Sequence, residues 1–186
     1  VSQDGSAFLM YQVQGRSWIV MGDPVGPAER WSGLMWQLRE VADREQGRAV
    51  FYQLSAAALP HVIDLGLGIM KLGEEARVDL TGFTLSGAAR KTLRNTYGRM
   101  EREGQRFEVI EGDALLAEMD ALRAVSDSWL SAKKQREKRF SLGRFDPAYI
   151  GGAPVAVVRN DAGSITAFAN LWTLPGCEEL SIDLMR

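Results

Sequence analysis

ELSIDLMR, residues Glu179 to Arg186, reads as a β-strand that carries a carboxylate, Asp183, and a guanidinium, Arg186, inside an apolar run. Such a run buries one or both faces in a sheet, and a carboxylate in that setting needs a partner or a chemical task. A strand-end salt bridge meets the need, and so does a place in an active site; the residues alone leave both readings open. On a regular strand, residues three apart face opposite sides. Asp183 and Arg186 therefore converge only if the strand bulges or bends between them.

Working back from this strand, Pro154 to Arg159 and Ser164 to Trp172 form a hairpin around Asn160-Asp161-Ala162-Gly163, and the chain returns across Pro175-Gly176. Asp113 is placed to cap a helix whose Leu115, Leu116, Met119, Leu122, Val125 and Trp129 face inward. After it lies SAKKQREKRFSLGRFD, Ser131 to Asp146. Six cations stand against one glutamate between Lys133 and Arg144, interleaved with Phe140 and Phe145. That composition suits a nucleic-acid or phosphate contact, and equally a solvated loop.

The first half opens with a hairpin, Phe8 to Val13 and Ser17 to Met21, turning at Gln14-Gly15; GDPVGP at Gly22 to Pro27 then stops either strand or helix. Trp31, Leu34, Met35, Leu38, Val41 and Ala42 recur at helical spacing as far as Gly47. Ala49 to Leu54 is a short buried strand, and Ser55 caps a helix running toward Leu65 that carries His61, which reads as structural. Met70 to Leu80 has two strand-like arms around Gly73-Glu74-Glu75, whose adjacent glutamates point to opposite faces and read as a solvated turn. Ser86 caps a helix from Gly87 to Glu103 with Leu93, Tyr97 and Met100 on one side. Its first turn holds no acid, poor chemistry at the positive end of a helix dipole, so Arg90, Lys91 and Arg94 are candidates for an external anion. Phe107 to Ile110 is a strand, and a boundary at Glu111-Gly112 divides the chain into 1–111 and 112–186. The hairpins of the two parts suggest two copies of one α/β unit.

With 186 residues, 46% of them hydrophobic and 9% aromatic, the chain can bury a sizeable core. The net charge of -2 conceals two basic stretches, Arg90 to Arg106 and Lys133 to Arg144, and local patches are what a polyanion feels. One cysteine, Cys177, and one histidine give neither a disulfide framework nor zinc spacing, so chemistry without metal or cofactor is expected. No apolar run reaches the roughly 18 residues that span a bilayer. The chain begins at Val1, directly before an apparent strand, and ends on another, as expected of a piece excised from something longer.

Six motifs occur in order along nearly the whole chain: GDPVGP, KLGEEARVDL, ARKTLRN, EKRFSLGRFD, AFANLW and ELSIDLMR. In this series the chain resembles the cytosolic catalytic domain of the phosphatidylglycerol aminoacyltransferases, the multiple peptide resistance factor family. The resemblance implies an α/β (α+β) architecture of tandem GNAT acetyltransferase-like folds. The first occupies 1–111; a connecting helix from near Asp113 and the start of an incomplete second fold occupy 112–186. It also implies an N-terminal membrane region in the parent protein and a place at the cytoplasmic face of a bacterial inner membrane, this piece being soluble and inactive alone. The implied reaction moves lysine or alanine from aminoacyl-tRNA to the glycerol hydroxyl of phosphatidylglycerol. That lowers the negative charge of the bilayer and gives resistance to cationic antimicrobial peptides. By match to the family's active-site strand, Asp183 and Arg186 carry over as catalytic residues. Asp183 would bind the α-ammonium or help accept the hydroxyl proton, and Arg186 would hold a phosphate. The bulge for which the acetyltransferase-like fold is known would supply the irregularity that the spacing demands.

An aminoacyl ester is already activated, so transfer needs positioning, removal of a hydroxyl proton and stabilisation of an oxyanion, with no cofactor. Lys133, Lys134, Arg136 and Arg139, together with Arg90, Lys91 and Arg94, are the candidate contacts for tRNA or phosphate. Two other functions compete. A coenzyme A-dependent GNAT acyltransferase wants a glycine-rich turn before a helix, and Gly66-Leu67-Gly68 leads instead into a strand-like stretch. A non-catalytic tRNA- or lipid-binding module would keep the fold and the cations alone.

Overall fold

The computed structural model describes residues 1–186 apart from Gln135, 138–142, Pro175 and Cys177. It is a mixed helix-and-sheet protein whose contacts divide it into two units, Val1–Arg77 and Val78–Arg186.

In the first unit, β1 (Tyr11–Gln14) and β2 (Ser17–Met21) form the expected antiparallel hairpin. The turn opens on Gly15 at φ 57°, a left-handed conformation that glycine adopts without a Cβ clash. Helix α1 (Trp31–Arg44) then carries the chain back so that β3 (Arg48–Tyr52) lies parallel to β2, as a crossover connection allows. Its buried residues, Leu34, Met35, Leu38 and Ala42, follow the predicted spacing. Ser55 accepts from the Ala57 N–H (3.2 Å) and caps a short 3-10 turn that runs into α2 (Leu59–Asp64). Met35, Val62 and Leu65 form the core, with Phe51, Leu54 and Leu67 packed against it. His61 lies edge-on to Trp31, ring centres 6.4 Å apart, in the packing role its position suggests.

Met70 to Leu80 forms no strand, contrary to expectation. Lys71 pairs with Glu74 (2.7 Å) and Arg77 with Glu75 (3.3 Å) along an exposed segment, so the glutamates are solvated as read. The apolar alternation finds no partner strand among the described residues, and an unpaired arm gains nothing from extended register.

The second unit begins with α3 (Lys91–Arg102), which buries none of its residues. Ser86 does not cap it; the Arg94 guanidinium instead donates to the carbonyls of Leu85 and Gly87, the latter at 2.7 Å. Next, β4 (Arg106–Ile110), β5 (Val155–Arg159), β6 (Ile165–Thr173) and β7 (Leu180–Met185) make an antiparallel sheet in that order. Because β4 pairs with β5, residues 106–110 belong with the second half of the chain, ahead of the Glu111-Gly112 position where the sequence suggested a boundary. The units also differ in pairing: the first contains a parallel pair, and among the described residues the second contains none.

The helix expected from Asp113 is two helices, α4 (Gly112–Ala117) and α5 (Met119–Lys133), with Glu111 rather than Asp113 at the N-cap. The break falls at Glu118, whose carboxylate accepts from Arg159 Nη2 at 2.9 Å. Arg159 also donates to Glu108 on β4 and to the Gly163 carbonyl (3.1 Å), so one guanidinium ties the sheet to the helix junction. Its bonds to Glu108 and then Glu118 push its pKa above the ordinary arginine value. Leu115, Leu122, Ile150, Val155, Val157, Ile165, Phe168 and Leu184 make the core. Leu116, expected to face inward, is 58% exposed, whereas its neighbour Leu115 is buried. Among the described residues no helix is long and apolar enough to cross a membrane.

Leu122→Ala, at a fully buried position, should cost about 2–5 kcal/mol, and Leu116→Ala within about 0.5 kcal/mol. Urea unfolding midpoints at unchanged slope measure both.

Candidate active site

Strands β6 and β7 pair Thr173 with Leu180, Trp172 with Ser181 and Leu171 with Ile182, and resume at Ala169 with Met185. Between those points β7 sets Asp183 and Leu184 against Asn170 alone, a β-bulge of one extra residue. Leu184 N–H donates to Asn170 Oδ1 at 2.7 Å, a side chain standing in for the absent backbone partner. The bulge flips the phase of the strand: Ile182 and Met185 are 52% and 66% exposed, whereas Leu184 is 1% exposed. Beyond it, Arg186 and Phe168 exchange both backbone bonds at 2.9 Å. Convergence of Asp183 and Arg186 on one face called for an irregularity between them, and the strand has one there.

Asp183 Oδ1 accepts from the Gly143 N–H at 2.8 Å, and Oδ2 accepts from the Tyr149 O–H. The Tyr149 oxygen in turn accepts from Trp172 Nε1–H at 3.1 Å, the two rings tilted at 42° with centres 5.3 Å apart. Indole N–H only donates, so the phenol proton is directed at Asp183. Burial first, then the bond and charge of Asp183, raise the Tyr149 pKa above its ordinary value against the opposing effect of Trp172 and Asn170. Tyr149 is thus a neutral donor at physiological pH. Asn170 is fully buried, and its Nδ2, close enough to the Tyr149 oxygen to oppose the rise in its pKa, makes no hydrogen bond of ordinary geometry among the described residues.

Two local devices hold this arrangement. Tyr149 sits on α6 (Pro147–Ile150), where Pro147 starts the helix and Asp146 accepts from the Ala148 N–H (3.0 Å) and from Arg144 (3.1 Å). The bond from Arg144, then the N–H groups of Tyr149 and Ala148, lower the Asp146 pKa. Gly143 provides close approach: a Cβ there would overlap Asp183 Oδ2 and lie 3.0 Å from Tyr149 Cε1.

Arg186 is engaged elsewhere. Its side chain is 10% exposed, Nη2 donates to Glu137 Oε2 at 3.0 Å, and the guanidinium lies 4.4 Å from the Trp129 ring centre. The other oxygen of Glu137 accepts from the Phe145 N–H at 3.2 Å, while Arg186 Nε is buried without a partner among the described residues. Asp183 and Arg186 therefore meet the same stretch of chain at different points, Gly143 for one and Glu137 for the other.

Among the described residues, Asp183 draws its hydrogen bonds from Gly143 and Tyr149 and from none of the remaining candidates. Arg90 lies over the Phe83 ring at 4.5 Å, Lys91 is exposed, and Arg94 is held by its two carbonyls, which answer in part for a first helical turn without acid. Lys133 ends α5, Lys134 takes a left-handed φ of 51°, and both are exposed, as is Arg136. Arg139 lies outside the described residues. Sequence reasoning missed Tyr149, Trp172, Glu137 and the contact made by Trp129. The available signals were Asp146-Pro147 ahead of Tyr149, which announces a fixed short helix, and Glu137 as the lone acid of a basic stretch. Among the described residues no cluster of His, Cys, Asp or Glu is placed to hold a metal ion.

The whole chain, residues 1–186, matches the family described as phosphatidylglycerol lysyltransferase, C-terminal. The phosphatidylglycerol lysyltransferase of Bacillus subtilis is 40% identical over 185 residues, spanning 100% of this chain and 21% of that protein. A solved chain from Agrobacterium fabrum, described as the C-terminal domain of a lysylphosphatidylglycerol synthetase, is 51% identical with a TM-score of 0.92 over 100% of this chain and 58% of that one. The solved L-PGS from Bacillus licheniformis is 39% identical with a TM-score of 0.90, again over 100% and 58%. This chain thus spans a minor part of the curated relative and somewhat more than half of each solved one.

Gly143→Ala should cost about 1–3 kcal/mol, because the added methyl displaces Asp183 or Tyr149, and the loss appears as a lowered unfolding midpoint. The Asp146 carboxyl should titrate below 3.8 by carbon-detected NMR. Its lowered folded value means that its support of α6 is complete above that pH and fades as the pH falls through the folded value.

Proposed function

We propose, on the premise that this chain belongs to the phosphatidylglycerol lysyltransferase C-terminal family, that it supplies part of the catalytic site of an aminoacyltransferase. The donor is an aminoacyl-tRNA and the acceptor the glycerol hydroxyl of phosphatidylglycerol at a membrane surface. The observation that carries this reading is the match of all 186 residues to the family. Tandem acetyltransferase-like folds, an N-terminal membrane region in the parent protein, a place at the cytoplasmic face of the membrane and resistance to cationic peptides belong to the same proposal.

In this reaction the lipid hydroxyl oxygen attacks the ester carbonyl and the bond to the ribose oxygen breaks. The hydroxyl proton is removed and the ribose oxygen is protonated as it leaves. Asp183 suits the amino-group or proton-accepting role. A carboxylate offers about four lone-pair positions, and the bonds from Gly143 and Tyr149 occupy two of them. The same bonds fix the direction in which the free positions point, which is what near-attack positioning requires. Phosphate contacts fall most naturally to Lys133, Lys134 and Arg136, whose charges reach solvent, with Arg139 beside them in sequence.

Transfer of labelled lysine from charged tRNA to phosphatidylglycerol vesicles, by the protein that carries this chain, tests the proposal. Asp183→Ala should lower the rate by about 10²-fold or more; transfer at the unaltered rate would remove Asp183 from the mechanism. Neutralising Lys133, Lys134 and Arg136 together should flatten the slope of log tRNA affinity against log salt by about 2.

A further inference from the structure

We infer that Arg186 is a positioning residue: paired with Glu137, it latches the backbone at Phe145 against β7 and so presents the Gly143 N–H to Asp183, rather than gripping a substrate phosphate. The latch is built from two contacts of the guanidinium, one at a face and one at an edge. One side stacks on Trp129 of α5 at 4.4 Å, and Nη2 meets Glu137 at 3.0 Å. Glu137 converts that charge into backbone placement, because its second oxygen takes the Phe145 N–H at 3.2 Å. The Phe145 ring is fixed in turn, edge-on to Phe168 at 6.1 Å and beneath the Arg123 guanidinium at 4.8 Å. Phe168 is the residue that exchanges both backbone bonds with Arg186. Two residues before Phe145 stands Gly143, and its N–H reaches Asp183 three residues before Arg186. The contacts close a ring from β7 through Glu137, Phe145 and Gly143 back to β7.

A phosphate-binding role fits this geometry poorly. To take a phosphate, the guanidinium would leave a carboxylate whose side chain is only 23% exposed, and the incoming anion would meet that like charge. Positioning needs no such exchange. It accounts for both oxygens of Glu137 and for the burial of the guanidinium beneath the ring of Trp129.

The test is amide hydrogen exchange at Gly143 and Phe145 in this 186-residue chain, read by NMR for the unaltered protein, Glu137→Gln, Arg186→Lys and the double variant. The latch predicts exchange about tenfold faster or more at both amides in each single variant, and no further acceleration in the double. Unchanged exchange in Glu137→Gln, or additive effects in the double variant, overturns it. Steady-state transfer kinetics give a second readout that rests on the proposed reaction. Both single variants should lower kcat alike with KM for phosphatidylglycerol within about twofold. A raised KM confined to Arg186→Lys, with Glu137→Gln harmless, overturns the latch in favour of phosphate contact. If the unaltered protein transfers nothing, the transfer reading fails while the exchange result still decides the latch.

Discussion

A carboxylate set into a strand must find donors, and Asp183 finds them through one extra residue in β7. Without the bulge, Asp183 and Leu184 would project to opposite faces. With it, Leu184 fills the core while Asp183 turns to Gly143 and Tyr149. Other features follow from that kink. Asn170 is polar yet fully buried because its oxygen replaces the missing backbone acceptor for Leu184. Gly143 admits no side chain because the carboxylate occupies the space, and Trp172 holds the phenol whose hydrogen bond the carboxylate accepts.

The sequence made much of this legible where the signal was local. The apolar rhythm of ELSIDLMR marked a strand, the three-residue spacing of its acid and base called for an irregularity if the two were to share a face, and the hairpins at Gly15 and Asn160 announced themselves by turn chemistry. What stayed hidden depends on contacts between distant segments. Nothing near Tyr149 says that its hydroxyl will meet Asp183, and nothing near Glu137 says that it will divide its oxygens between Arg186 and a backbone amide. The alternation at Met70 to Leu80 misled for the same reason in reverse: strand pattern without a strand to pair with leaves an exposed segment. At Glu118 a helical pattern ran unbroken, and the turn of one carboxylate toward Arg159 coincides with the break.

Counting cations in a sequence says little about which of them face a ligand, and partners sort them. Arg159 is divided between two carboxylates, Arg186 belongs to Glu137 and Trp129, Arg94 closes its own preceding turn, and Arg90 covers Phe83. These charges build structure. Lys133, Lys134 and Arg136 stand exposed at the end of α5, where a polyanion can exchange with their counterions. A basic stretch that looks uniform on paper thus separates into girders and contacts.

The bonds that hold Asp183 and Arg186 reach back 40, 34 and 49 residues, to Gly143, Tyr149 and Glu137. Closing such spans sacrifices more chain entropy than forming the neighbouring helices, so the helices can form early while the carboxylate docks late. During synthesis the order is the same. The ribosome delivers Gly143, Tyr149 and Trp172 before Asp183, so the donors are already made when the kinked strand pairs with β6, and that pairing sets the charge between them in a single event.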